Sequence, residues 1–240
     1  MTVVLFDLDD TLFAHRLAVA TGVTAHRRAA GGALASADDA AEIQRWNELE
    51  ELHYHRYLAG EIDFLDQRRH RSRAFVEPFG LDLATDSAAD EWFGAYLLEY
   101  ERAWQLHDDV LPCLDAIEAA DPTVRWGIVT NAELAFQTAK LTAIGLIDRM
   151  EHIVASGEVG ATKPDARIFE HAVSLFGVPA TDAVYVGDRL HTDAIGAASA
   201  GLRGVWLNRA GEISAAEAAD VAAAGVSVIS TLAELPALLR

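Results

Sequence analysis

The chain has 240 residues, enough for one large domain or two modest ones, and its 51% apolar and 23% charged residues exclude disorder as its main character. Nineteen basic residues against 37 acidic ones leave a formal charge of −18. That balance speaks against a broad nucleic-acid-binding face, because a phosphate backbone rewards clustered Lys and Arg. One cysteine, Cys113, excludes an intrachain disulfide and the four-cysteine zinc sites. No apolar run approaches the ~18 residues of a membrane span. The N-terminus goes straight into Val3-Val4-Leu5-Phe6-Asp7, which reads as a strand and not as a signal peptide. The expectation is a soluble cytoplasmic protein.

Residues 3–6 are an apolar run suited to a strand buried on both faces. The rhythm then breaks. Residues 17–30, 39–58, 64–75 and 87–105 read as helices, the second carrying Ile43, Trp46, Leu49, His53 and Tyr57 at spacings of three and four. Ser36 or Asp38 suits its start, and Gly60 its end. From Asp108 onward helix and strand alternate: helix 111–120, strand 126–129, helix 132–144, strand 153–155, helix 165–176, strand 184–186, helix 190–200, strand 205–207, helix 213–224 and strand 226–229. Gly177 and Pro179 mark one helix stop, and Gly201 another. This alternation predicts an α/β fold with a doubly wound parallel sheet. The expected division is a core of residues 1–14 and 108–240, with a helical domain inserted at 15–107.

Candidate chemistry sits at the strand ends. The first strand runs into Asp7-Leu8-Asp9-Asp10-Thr11. Carboxylates so close repel one another unless a cation intervenes, and Mg2+ suits a few carboxylates with phosphate and water; an acidic turn is the plain alternative. The second core strand ends in Thr130-Asn131 before a helix, where a hydroxyl and free N–H groups suit a phosphate as well as they suit a simple helix cap. Gly187-Asp188, with Asp193 in the next helix, offers a second metal carboxylate or a common turn. Lys163 lies just before Pro164 in a chain with 17 Arg and only two Lys, Lys140 being the other. A compact ammonium fits between a carboxylate and a phosphate where a planar guanidinium does not, although a loop lysine needs no such role. Lys140 falls in the helix 132–144 and is expected on its surface.

Four segments in this order resemble the haloacid dehalogenase superfamily, in its phosphatase branch: Asp7-Leu8-Asp9-Asp10-Thr11, Thr130, Lys163 and Gly187-Asp188 with Asp193. The inserted helices resemble that family's cap domain. The resemblance implies a Rossmann-like core and an Asp7 nucleophile that forms an aspartyl-phosphate. Asp9 would protonate the leaving oxygen and then deprotonate water. Mg2+ would be held by the Asp7 carboxylate, the Asp9 carbonyl and Asp188. Thr130, the Asn131 N–H and Lys163 would hold the phosphoryl group, with Asp193 orienting Lys163 or a metal-bound water. The implied substrate is a small phosphorylated metabolite, with no nucleic-acid or membrane partner and the oligomeric state left open.

Within the superfamily, Asp9 favours an oxygen leaving group over the halide of a 2-haloacid dehalogenase, because a halide needs no proton. Residues 15–107 contain no lysine, which counts against a phosphonate-cleaving Schiff base. A phosphosugar mutase uses the same two aspartates and stays open. A non-catalytic phospho-ligand-binding regulator would lack one of the motif residues, and none is missing. In the insert, the basic run 67–73 reads as a solvated, ion-paired face, His53, His55 and His70 as packing or surface residues, and Trp46 and Tyr57 as packing. Cys113 reads as an inert thiol.

Overall fold

The computed structural model describes residues 2–239. The chain divides into two compact units, one of the residues up to Ala14 with those from Gln105 onward, the other His15–Trp104. In the first unit six strands form one parallel sheet: β1 (Val3–Phe6), β2 (Arg125–Thr130), β3 (His152–Ala155), β4 (Ala183–Gly187), β5 (Arg203–Leu207) and β6 (Ser227–Ile229). The strand order is β3-β2-β1-β4-β5-β6. All six apolar runs of the sequence are strands, and the doubly wound α/β expectation holds.

The order reverses between β1 and β4. Helices that connect strands on the two sides of that point leave a crevice at the strand carboxyl ends, where such sheets bind ligands. Asp7, Thr130 and Asp188 follow the ends of the three central strands β1, β2 and β4 or close them. Val3, Leu5, Val129, Phe169, Ala172 and Tyr185 are buried together on one face of the sheet. The helix Ala166–Phe176 covers that face; Asp165 caps its start and Gly177, in the left-handed region, closes its end. Truncating a buried ring such as Phe169 to Ala would cost about 3–5 kcal/mol.

The stretch expected as one helix over 190–200 is instead a π-helical turn, Leu190–Ile195, followed by the short helix Gly196–Ser199. The wider turn is packed onto the sheet through glycine. A Cβ on Gly187 would stand 2.4 Å from Asp193 Cγ, and one on Gly204 would stand 2.1 Å from the Ala194 carbonyl oxygen. Both positions therefore admit no side chain without displacing the turn that carries Asp193.

The second unit is helical: His15–Ala30, Gly32–Ser36, Asp39–Leu58, Phe64–Val76 and Asp86–Arg102. Asp38, not Ser36, caps the long helix by accepting from the Ala41 N–H, and the first helix starts two residues earlier than its sequence pattern suggests. Trp46 is fully buried among Phe75, Trp92, Phe93 and Tyr96. Among the described residues no helix is long and apolar enough to cross a membrane.

Candidate active site

β1 delivers Asp7 to the switch point, and the chain then turns back on itself. The Leu12 and Phe13 N–H groups donate to the Leu8 carbonyl, at 3.0 and 2.9 Å, and Asp10 N–H donates to Phe13 O at 2.7 Å. Asp10 takes a left-handed backbone with φ of 58°. Aspartate is one of the few non-glycine residues that adopt that region readily, so the third carboxylate of the acidic run serves the turn. Arg209, just beyond β5, clamps the same loop by donating to the carbonyls of Asp10 (3.3 Å) and Thr11 (2.9 Å). Asp109 holds the Arg209 guanidinium with both oxygens, at 2.9 and 3.0 Å. Burial works against the Asp109 charge, but bonds from Arg209, Thr231 and the Leu232 N–H outweigh it and hold its carboxyl down at about 2.

Lys163 stands at the centre of the site, 6% exposed. Its ammonium donates to Asp7 Oδ1 at 2.6 Å, Asp193 Oδ1 at 2.8 Å and the Tyr185 hydroxyl at 2.9 Å. Burial opposes its charge, yet Asp193 and Asp7 prevail and hold its pKa well above the usual lysine value. Asn131 fixes the lysine's backbone: its Oδ1 accepts from the Lys163 N–H at 2.7 Å, and its Nδ2 donates to the Lys163 carbonyl at 3.1 Å. Asp193 is 1% exposed and has both oxygens engaged, Oδ2 accepting from the Arg189 N–H at 3.0 Å. The Tyr185 hydroxyl oxygen also lies 3.1 Å from the Val129 carbonyl oxygen and 3.2 Å from Asp193 Oδ1.

Asp7, Asp188 and Asp193 place carboxylate oxygens within 4.8 Å of one another, the one such grouping of metal-ligating side chains among the described residues. The Lys163 ammonium bonds two of the three, Asp7 and Asp193. Burial, followed by the neighbouring carboxylates Asp7, Asp193 and Asp10, pushes the Asp188 carboxyl up to about 8. Burial raises Asp7 to about 7, with Lys163 opposing and Asp193 and Asp9 reinforcing the rise. An all-oxygen, carboxylate-rich set with excess negative charge is the donor chemistry of a hard divalent cation, so the residues fit Mg2+. Because Asp193 is committed to Lys163 and Arg189, Asp7 and Asp188 are the better available ligands. The Asp188 backbone is itself steadied by Trp206, whose indole N–H donates to its carbonyl at 2.9 Å.

Thr130 is buried, and its Oγ1 accepts from the Ala132 N–H (3.1 Å) and from Gln137 Nε2 (3.0 Å), which leaves its hydroxyl proton to donate. Asp9 turns to the helix Leu134–Ala143: Lys140 Nζ donates to its Oδ1 at 2.6 Å and Gln137 Nε2 to its Oδ2 at 3.0 Å. The expectation of a surface Lys140 is thus wrong, for the residue is 2% exposed. A buried ammonium is tolerated because Asp9 supplies the opposite charge. Both lysines of the chain are buried, and each is paired with one aspartate of the acidic run.

Sequence reasoning passed over Tyr185, Gln137, Lys140 and Arg209. For Lys140 a signal was available, since the scarcity of lysine that singles out Lys163 applies equally to it. In the helical unit the histidines do not gather as ligands. His53 stacks on His70 with centroids 5.6 Å apart, and His55 pairs with Glu51. Cys113 is buried, and that burial pushes its thiol up to about 12, consistent with an inert side chain.

Residues 1–201 match the family profile of the haloacid dehalogenase-like hydrolases. The glyceraldehyde 3-phosphate phosphatase of Methanopyrus kandleri is 33% identical over 207 residues, 86% of this chain and 83% of that protein. The phosphoserine phosphatase of Thermus thermophilus is 34% identical over 139 residues, 58% of this chain and 55% of that protein. Among solved structures, the magnesium-bound hydrolase YfnB of Bacillus subtilis superimposes with a TM-score of 0.76 at 22% identity, covering 99% of this chain and 98% of its own, a likeness of fold. The 2-haloacid dehalogenase of Pseudomonas syringae pv. Tomato gives a TM-score of 0.64 at 26% identity, covering 100% of this chain and 98% of its own.

Proposed function

The chain belongs to the haloacid dehalogenase-like hydrolases, and we propose on that premise that it is a Mg2+-dependent phosphatase of small phosphomonoesters. The observation that carries this reading is Asp7 at the switch point, one oxygen on Lys163 Nζ at 2.6 Å, with a second carboxylate, Asp9, two residues on. Asp7 attacks phosphorus through its other oxygen and forms an aspartyl-phosphate. Lys163 opposes protonation of Asp7 and faces the phosphoryl oxygens, while Thr130 donates its hydroxyl to them and the Asn131 N–H assists. Asp9 gives a proton to the departing oxygen and then takes one from the water that releases phosphate. When bound, Mg2+ supplies positive charge to the phosphoryl group, with Asp7, the Asp9 carbonyl and Asp188 as its protein ligands. Asp193 and Tyr185 hold Lys163 in place. The helical unit is the cap that selects the substrate.

Asp9 also decides between phosphate and halide. A 2-haloacid dehalogenase expels an ion that needs no proton, and a second carboxylate committed to proton transfer has no task there. The relatives named as phosphatases favour the same side. The test is hydrolysis of p-nitrophenyl phosphate with Mg2+ or with excess EDTA, alongside 2-chloropropionate and a panel of phosphorylated metabolites. Phosphate release that EDTA abolishes, with no chloride release, is the expected outcome. Full activity in EDTA would remove the metal, and chloride release without phosphate release would remove the phosphatase.

A further inference from the structure

We propose that Lys140 is a positioning residue for Asp9, fixing the proton-transferring carboxylate through an ion pair while Gln137 ties the same carboxylate to Thr130. The helix Leu134–Ala143 places Gln137 and Lys140 three residues apart on one face. Between them they hold both oxygens of Asp9, Lys140 Nζ at 2.6 Å and Gln137 Nε2 at 3.0 Å. That amide nitrogen is also 3.0 Å from Thr130 Oγ1, so one side chain bridges Asp9 and the hydroxyl assigned to phosphate. Phe13 and Phe136 flank the ammonium, their ring centroids 4.7 and 5.0 Å from Nζ.

Two features are costly for a merely structural link. A lysine 2% exposed gives up its hydration, and Gln137 Oε1 is buried with no hydrogen-bond partner. An apolar pair would attach this helix to the loop more simply. What the polar pair adds is a fixed direction for a carboxylate whose side chain is still 30% exposed. A carboxylate that must meet a departing oxygen and then a water gains rate from being held in one orientation.

The inference rests on Asp9 being the acid and base of the proposed reaction, and the experiment separates the two claims. kcat and KM are measured on p-nitrophenyl phosphate, whose leaving group needs little protonation, and on glycerol 2-phosphate, whose alcohol needs it. The proteins are wild type, Lys140→Met, Lys140→Arg, Asp9→Asn and the double variant Lys140→Met/Asp9→Asn. Lys140→Met is expected to lose at least about tenfold more kcat on glycerol 2-phosphate than on p-nitrophenyl phosphate, within the range that general acid catalysis supplies. KM should change little, Lys140→Arg should restore part of the loss, and Lys140→Met should cost nothing further once Asp9 is Asn.

Equal losses of Lys140→Met on the two substrates, a gain in turnover, or an undiminished loss in the Asp9→Asn background would overturn the positioning role. Asp9→Asn losing equally on both substrates would instead remove Asp9 as the acid. Turnover of p-nitrophenyl phosphate certifies folding. Should Lys140→Met not fold, Lys140→Gln takes its place in the same comparison, and failure of both to fold assigns Lys140 to structure and ends the proposal.

Discussion

The two units of the chain both bury charge, and they do so differently. In the helical unit the two buried arginines each meet a carboxylate, Arg27 that of Asp39 and Arg71 that of Glu50. Arg71 pairs with Glu50 at 2.5 Å, and although burial opposes the Glu50 charge, Arg71 and His15 hold its carboxyl far below the usual range. At the surface of the same unit charges are balanced too: Arg69 reaches Asp66, Asp86 and Asp90, and Arg73 reaches Asp86. In the α/β unit, Asp7 and Asp193 share the Lys163 ammonium with Asp188 close to both carboxylates, and Asp7 and Asp188 are pushed up to about 7 and 8. Charge alone therefore does not mark a site. A buried imbalance does, because it persists only where a ligand or a reaction makes use of it.

That contrast is broken most sharply by Asp7→Asn. The amide keeps the shape and loses the nucleophile, so kcat/KM on p-nitrophenyl phosphate with Mg2+ should fall at least about 10³-fold, equivalent to about 4 kcal/mol in the barrier. Activity within tenfold of wild type would remove Asp7 from that role. Lys163→Arg ranks next. It preserves charge but adds a rigid fork where Asp7, Asp193 and Tyr185 already crowd one nitrogen. A displacement of about 1 Å costs on the order of 10²-fold in rate. Retention of more than half the wild-type kcat/KM would make Lys163 an ordinary loop lysine.

The imbalance also has a pH signature. Asp7 and Asp188 titrate near 7 and 8 in the folded chain, above the unfolded carboxylate value of about 4. Between those limits the folded chain binds more protons than the unfolded one, so its stability falls as pH rises through that window. A divalent cation favours the ionised carboxylates and reverses the loss. The rise in Tm on adding Mg2+ should thus be larger at pH 8 than at pH 6, by about 2 °C; an equal or smaller shift at pH 8 would contradict it. The smallest effect belongs to the balanced unit. Arg69→Ala removes exposed ion pairs, and kcat/KM should stay within about twofold of wild type. A larger drop would show that the balanced charges of the helical unit also serve the reaction.

The sequence made the strands and the acidic strand end readable because each is local: an apolar run, then residue types that suit one chemistry. Asp7, Asp188, Lys163 and Asp193 come together as those local patterns suggest. Tyr185 escaped notice because an aromatic residue in a buried strand looks like packing, and only the tertiary fold brings its hydroxyl to Lys163. Lys140 was misplaced because the phase of a helix against its neighbours is not written in the helix itself. Arg209 lies almost two hundred residues from the loop it clamps, and no spacing rule joins Arg209 to Asp10 and Thr11.

The central claim is that Asp7 carries the phosphoryl group. An acyl phosphate is reduced by borohydride to an alcohol, which would turn Asp7 into homoserine. The enzyme is mixed with p-nitrophenyl phosphate and Mg2+, quenched during turnover, treated with borohydride and mapped by peptide mass spectrometry. Homoserine at position 7, dependent on substrate and absent when EDTA is present, is the predicted result. Sustained turnover with Asp7 always recovered unmodified, or with homoserine at Asp9 or Asp188 instead, would contradict it.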